Sequence, residues 1–101
     1  MKLLMITAIE VFEKDIKFLL KKAAITHFSY SDVKGYRDLT QESVGDNWFA
    51  SEMNESQSII FYAFVPKEKA DDLFNSVAEF NKQQRTLSKV HIVVLNIEKS
   101  N

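Results

Sequence analysis

The sequence predicts a single α+β domain with the element order β-α-β-β-α-β. Two stretches carry apolar residues at helical spacing, and four shorter stretches have the patterns of strands. Chain breakers are scarce, because only Gly35, Gly45 and Pro66 interrupt these patterns. The chain of 101 residues is long enough to bury one core, so we expect one domain over residues 1–101.

The first half of the chain predicts a strand, a helix and a second strand. Lys2 to Ile9 forms a strand pattern that is apolar on both faces. The helix that follows has one continuous apolar stripe, formed by Phe12, Ile16, Leu19, Leu20 and Ala23. His27 to Tyr36 is predicted to be the second strand.

The second half begins with a polar, aperiodic connection over residues 37–55. Residues 56–65 then give the clearest strand pattern in the chain, and Pro66 suits the first turn of a helix. That helix has an apolar face formed by Ala70, Leu73, Phe74, Val77, Ala78 and Phe80. Residues 85–89 form a short polar connection, and residues 90–97 form the last strand.

This element order predicts a ferredoxin-like sandwich. Right-handed crossovers place both helices on one face of a four-stranded antiparallel sheet with strand order 4-1-3-2. The long loop then joins strands 2 and 3, at the end of the sheet where strand 2 finishes.

The strands carry large apolar residues on both faces, although two helices can cover only one. Tyr62 and Phe64 face away from Phe61 in the third strand, and Val93 faces away from Val94 in the fourth. An exposed apolar patch of this kind favours association with further copies of the chain. The alternative is that the long connection folds back over this face. Periodicity leaves open whether the association is dimeric or trimeric.

Composition excludes several classes of function. The formal net charge of -1 predicts no bulk attraction to nucleic acid. The chain has no cysteine, and no stretch approaches the roughly 18 apolar residues of a membrane span. Glu10 interrupts the N-terminal apolar run and no cleavage site follows, so we expect a cytoplasmic protein that does not insert into membranes.

The chain resembles the PII signalling proteins in a few motifs and in the spacing of its elements. The motifs are Lys2-Leu3-Leu4 at the N-terminus and Asp32-Val33-Lys34-Gly35-Tyr36 at the end of the second strand. The resemblance implies a homotrimer that binds a small effector in clefts between subunits. It also implies that the connection over residues 37–55 corresponds to the T-loop, which contacts a target such as a membrane transporter. Some PII-like families are associated with metal efflux, and the related CutA proteins of divalent-cation tolerance are an alternative.

Five residues are candidates for an anion or adenine-nucleotide site in such a cleft: Lys34, Gly35, Arg37, Arg85 and Lys89. The family binds phosphate with a glycine-rich loop before the last strand, whereas residues 83–89 contain no glycine here. A nucleotide would therefore bind in a non-classical way. The alternative for the four cations is ordinary solvated surface charge.

Two aromatic residues in the long connection, Trp48 and Phe49, are candidates for anchors to a partner protein. Alternatively, they hold the loop against the helix-free face. His27 and His91 lack ligand spacing, so no metal site is predicted. The sequence contains no catalytic triad context and no P-loop, so we expect no enzyme and no catalytic residue. A small dimeric α+β-barrel enzyme remains the enzymatic alternative.

Overall fold

A computed structural model describes residues 1–36 and 55–101 of the chain. A short 3-10 turn over Glu10–Phe12 connects the first strand to the first helix. The helices and strands are β1 Lys2–Ile9, α1 Glu13–Lys22, β2 Ser29–Tyr36, β3 Glu55–Val65, α2 Lys67–Gln83 and β4 His91–Asn96. The predicted element order is confirmed.

The four strands form one antiparallel sheet with the order β2-β3-β1-β4. Counted from the β4 edge, this is the predicted order 4-1-3-2. β1 and β3 therefore lie in the centre, and β2 and β4 form the two edges. In the central register, Met5 lies opposite Tyr62 on one side and Val93 on the other.

The core lies between the two helices and one face of the sheet. Alternate residues of the central strands are buried there, which follows from the two-residue period of a strand. The largest fully buried side chains are Phe61, Leu4, Ile6, Ile16, Leu20, Ile59, Leu73 and Val77. Each such side chain stabilises the fold by roughly 1.5–3 kcal/mol. Phe12, from the 3-10 turn, contacts Phe80 of α2 edge-to-face with ring centroids 5.3 Å apart.

Helix α1 ends in a Schellman motif that lacks the usual glycine. The Ala24 N–H donates to the Lys21 carbonyl at 2.9 Å, and the Ile25 N–H donates to the Leu20 carbonyl at 2.9 Å. Ala24 has a φ of 60°, in the left-handed region that costs a residue with a Cβ about 1–2 kcal/mol. The Lys69 Nζ donates to the Ala24 carbonyl at 2.7 Å, which ties the end of α1 to the start of α2.

Both edge strands are shorter than the sequence patterns predict. β2 begins at Ser29 and not at His27, because its ladder with β3 starts with Ser29 opposite Tyr62. β4 starts after Val90, whose backbone N–H and carbonyl are both bonded to the side chain of Asn81. A side chain of α2 thus takes the place of a strand partner at that position.

Candidate functional site

The helix-free face of the sheet presents several large apolar side chains that the helices do not cover. We call it the open face, and its apolar members are Leu3, Met5, Ile60, Tyr62, Phe64, Val93 and Leu95. Phe64 is 68% exposed, Leu95 41% and Tyr62 39%. The predicted placement of large apolar side chains away from the helices is confirmed.

These side chains form rows across three strands. Leu3 lies between Phe64 and Leu95, and Met5 lies between Tyr62 and Val93 in the next row. Side chains directly opposite each other on neighbouring strands are about 4.5–5.5 Å apart at Cβ. The open face is therefore one continuous patch and not a scatter of single exposed residues; in proteins generally, large patches of this kind are associated with interaction surfaces.

A groove of about 790 Å³ lies at one corner of the open face, and we call it the corner groove. It forms where β3 is longer than its neighbour, because Ser29 of β2 pairs with Tyr62 while β3 continues to Val65. Its lining residues are Leu3, Thr26, His27, Phe28, Ser29, Tyr30, Tyr62, Ala63 and Phe64. Pockets of 300–1,000 Å³ with mostly apolar walls are typical small-ligand sites.

Aromatic contacts fix one wall of the corner groove. The Tyr30 ring stacks on Phe61 with centroids 5.2 Å apart, and Phe28 lies 5.7 Å from Phe61. The Lys17 ammonium lies 4.3 Å from the Tyr30 ring centroid and donates to the Tyr30 hydroxyl at 2.9 Å. A second hydrogen bond, to Glu13, is the larger reason that the pKa of Lys17 lies above its usual value.

The groove also contains polar groups that could orient a ligand. Thr26 Oγ1 and His27 Nδ1 are 3.0 Å apart, and Ser29 is exposed beside them. Sequence reasoning missed this groove as a site. The residues before Ser29 were predicted to continue the strand, and only the register shows that β3 extends beyond β2 at this corner.

The predicted anion-binding residues lie at the other end of the sheet. Lys34 and Gly35 are close to the end of β2, whereas Arg85 and Lys89 precede β4. Because β2 and β4 are opposite edges, three strand spacings of about 4.8 Å separate them by roughly 14 Å. Lys34, Arg85 and Lys89 are exposed and Gly35 is buried. One chain therefore does not bring the two pairs together.

The connection before β4 is held by its own side chains. The Gln84 Nε2 donates to the Ser88 carbonyl at 2.7 Å, and the Thr86 N–H donates to the Gln84 Oε1 at 2.7 Å. The Lys89 Nζ is 3.3 Å from the Asn81 carbonyl. Glutamine and threonine side chains thus order this segment, and at Thr86 they occupy a backbone N–H that a glycine-rich loop would turn toward phosphate.

Some of the predicted features fall outside the part of the chain that the structure describes. Arg37, Trp48 and Phe49 lie outside the described residues. Within residues 1–36 and 55–101, no group of three or more histidine and carboxylate side chains is arranged to hold a metal ion. In the same part of the chain, no helix has the length and apolarity that crossing a bilayer requires.

Comparison with solved structures finds 158 chains of similar fold. One of them is a crystal structure, at 2.40 Å resolution, of a DUF3240 family protein from Shewanella baltica OS155. The superposition covers 99% of this chain and 92% of that chain, with a TM-score of 0.66 and 16% sequence identity. The similarity is one of fold alone. No family profile matches the sequence, and no curated protein matches it.

Proposed function

We propose that this chain is a PII-like regulatory protein that forms a trimer, binds a small ligand between subunits and acts on another protein through residues 37–55. The observation that carries the proposal is the open face. A continuous apolar patch that includes Phe64, Tyr62 and Leu95 favours burial against other copies of the same chain. The motif resemblance at Lys34-Gly35-Tyr36 supports three copies as the number.

The edges of the sheet support a closed ring over a simple face-to-face pair. β2 and β4 each leave one row of backbone N–H and carbonyl groups without a strand partner among the described residues. A pair of sheets stacked through their open faces would leave all of these edges uncovered. In a closed ring, an edge strand of one copy can lie beside an edge strand of the next copy, while the open faces point toward the centre of the ring. Such a ring covers both the open faces and the edges.

The separation of the corner groove from the cations supports a ligand site that spans two subunits. Lys34 lies opposite Gln57 and the groove lies around Ala63, so roughly 20 Å of strand separates them within one chain. A ligand with a flat ring and a charged tail cannot contact both in the same copy. It can contact both if the groove of one copy faces the cations of the next, which is the chemistry that an adenine nucleotide needs.

The mass of the purified chain in solution tests the assembly. We expect a mass of three chains that persists on dilution to micromolar concentration. A stable dimer would contradict the proposal and would favour the small α+β-barrel enzyme. A monomer at micromolar concentration would contradict it as well, because the open face would then remain in water.

Calorimetric titration tests the ligand. We expect ATP, ADP or AMP to bind to the trimer, and we expect Arg85→Ala to weaken binding about tenfold through loss of a charge-assisted contact. Lys99→Ala, an exposed cation in the C-terminal segment, is the matched control and should leave affinity unchanged. If no nucleotide binds at millimolar concentration, the ligand part of the proposal is wrong, whereas the trimer part is unaffected. Binding of a divalent metal in place of nucleotide would favour the CutA alternative.

A further inference from the structure

At the corner groove, the sheet lacks a strand beside the last residues of β3. β3 continues to Val65, whereas its neighbour β2 begins with Ser29 opposite Tyr62. Beyond Tyr62, the residues of β3 have strand partners only on the β1 side. In the part of the chain that the structure describes, no backbone hydrogen bond outside the helices and strands joins residues 23–28 to β3. The last residues of β3, over roughly 10 Å of strand, therefore keep a free backbone edge.

The corner groove follows this free edge, and its walls come from both faces of the sheet. Tyr62 and Phe64 belong to the open face, whereas Ala63 is buried on the helix side. Phe28 also lies on the helix side, where its ring centroid is 5.7 Å from that of Phe61. Successive side chains of an extended chain point to opposite faces. An extended peptide along the edge would therefore place alternate side chains against the two walls, which is how strand addition gains specificity.

The charges at the corner groove indicate an uncharged peptide. Its lining contains no aspartate, glutamate, lysine or arginine, and its one imidazole, on His27, contacts the Thr26 hydroxyl at 3.0 Å. Lys17, which lies over the Tyr30 ring at one wall, forms an ion pair with Glu13 at 2.8 Å. A carboxylate or ammonium group that left water for this lining would find no partner of opposite charge there, at a cost in free energy. Neutral side chains and backbone amides fit the lining.

We propose that the corner groove binds an extended, uncharged peptide segment of another protein, which pairs with the free edge of β3 as an added strand. Backbone hydrogen bonds to β3 give affinity, and the two walls favour β-branched or aromatic side chains at alternate positions. This inference goes beyond the proposed function, but it uses the groove that the ring of the proposed ligand would also occupy. Peptide and ligand therefore exclude each other, so that ligand binding releases the peptide.

The probe for this site is an acetylated and amidated peptide, Val-Thr-Val-Thr-Val-Thr, which is uncharged and favours an extended conformation. We expect it to bind in calorimetric titration. We also expect it to slow hydrogen exchange about tenfold at one or more backbone amides of residues 63–65, because a paired N–H is protected from exchange. Exchange in the middle of α2 should stay unchanged. If millimolar peptide neither binds nor alters exchange at residues 63–65, the inference is wrong.

Methylation of alternate peptide amides distinguishes strand pairing from apolar contact alone. Successive N–H groups of a strand point to opposite edges, so one methylation pattern blocks the edge that faces β3 and the other blocks the edge that faces solvent. We expect one pattern to weaken binding about tenfold, through loss of hydrogen bonds, and the other to change it by less than about twofold. Equal affinities of the two methylated peptides would overturn the inference, since the peptide would then not be paired as a strand.

Two serines of β2 provide matched variants of the protein. Ser29 lines the corner groove, whereas Ser31 is exposed on the same face of the sheet and does not line it. Ser29→Arg should weaken peptide binding about tenfold, because it brings bulk and charge to an uncharged site. Ser31→Arg should leave the affinity unchanged. Equal losses in both variants would place the peptide elsewhere and contradict the inference.

Failure of this inference can be distinguished from failure of the proposed function. Peptide binding is measured without nucleotide and does not depend on how many copies assemble. AMP should displace the bound peptide, because both occupy the corner groove. AMP that binds without displacing the peptide would place the proposed ligand outside the groove and would overturn the mutual exclusion. A protein that binds AMP but not the peptide would overturn this inference alone.

Discussion

Within residues 1–36 and 55–101, Ala24 is the one residue other than glycine with a positive φ. Its φ of 60° closes the Schellman motif at the end of α1, a position where glycine has no Cβ to clash with the following carbonyl. We expect Ala24→Gly to raise the free energy of unfolding by about 0.5–1 kcal/mol, after allowing for the greater freedom of glycine in the unfolded chain. Urea denaturation followed by circular dichroism measures the change.

The neighbouring alanine is the control for this prediction. Ala23 has a φ of −83°, a value that residues with a Cβ adopt without strain. Ala23→Gly should therefore lower stability, because it adds freedom to the unfolded chain without relieving any clash. If both substitutions lowered stability by similar amounts, the left-handed conformation at Ala24 would not be costing the fold anything.

At the scale of elements, Asn81 joins α2 to the start of β4. Its amide nitrogen donates to the Val90 carbonyl at 2.8 Å, and its Oδ1 accepts from the Val90 N–H at 2.9 Å. Val90 is buried, so Asn81→Ala leaves two backbone groups without their partner. We expect a loss of about 1–3 kcal/mol in the free energy of unfolding, measured by urea denaturation.

The variant Asn81→Asp tests the two hydrogen bonds individually, because it keeps one and removes the other. An ionised aspartate can still accept from the Val90 N–H but has no proton to donate to the Val90 carbonyl. Its stability at neutral pH should fall below that of the wild type, because the carboxylate faces a carbonyl oxygen. If Asn81→Ala and Asn81→Asp were both as stable as the wild type, the start of β4 would be held by other contacts.

The elements that sequence reasoning predicted well are those whose pattern has a local cause. β1 was predicted with its observed bounds, and the apolar stripe of α1 from Phe12 onward is buried as expected. The first residues of β2 and β4 were not predicted correctly, because the pairing register decides where β2 begins and the Asn81 side chain decides where β4 begins. Both are contacts between residues distant in sequence, which hydrophobic period does not report.

The features of the candidate site also fall into those that the sequence predicted and those that it did not. The open face followed from strand alternation, since apolar residues at successive positions must occupy both faces. The corner groove did not, because it depends on how far two strands overlap. The sequence also grouped Lys34 with Lys89 as one anion site, whereas the sheet order places them on opposite edges of a single chain.

At the scale of the whole molecule, the proposed assembly depends on the open face remaining apolar. Phe64 is 68% exposed in the single chain, so a carboxylate there remains in contact with water in the isolated fold. Against a second copy, the same carboxylate would be buried, at a cost of several kcal/mol for each ion. We therefore expect Phe64→Glu to convert the trimer to a monomer with an unchanged circular dichroism spectrum, as measured by light scattering after gel filtration.

The matched variant for this prediction is Phe74→Glu, which makes the same chemical change on α2. Phe74 is 48% exposed and belongs to the helical layer, so its replacement should leave the trimer intact. Monomers from both variants would indicate general destabilisation and not loss of a specific interface. A trimer that persists in Phe64→Glu would mean that the open face is covered in some other way, because an unpaired charge buried in an apolar contact between copies could not be tolerated.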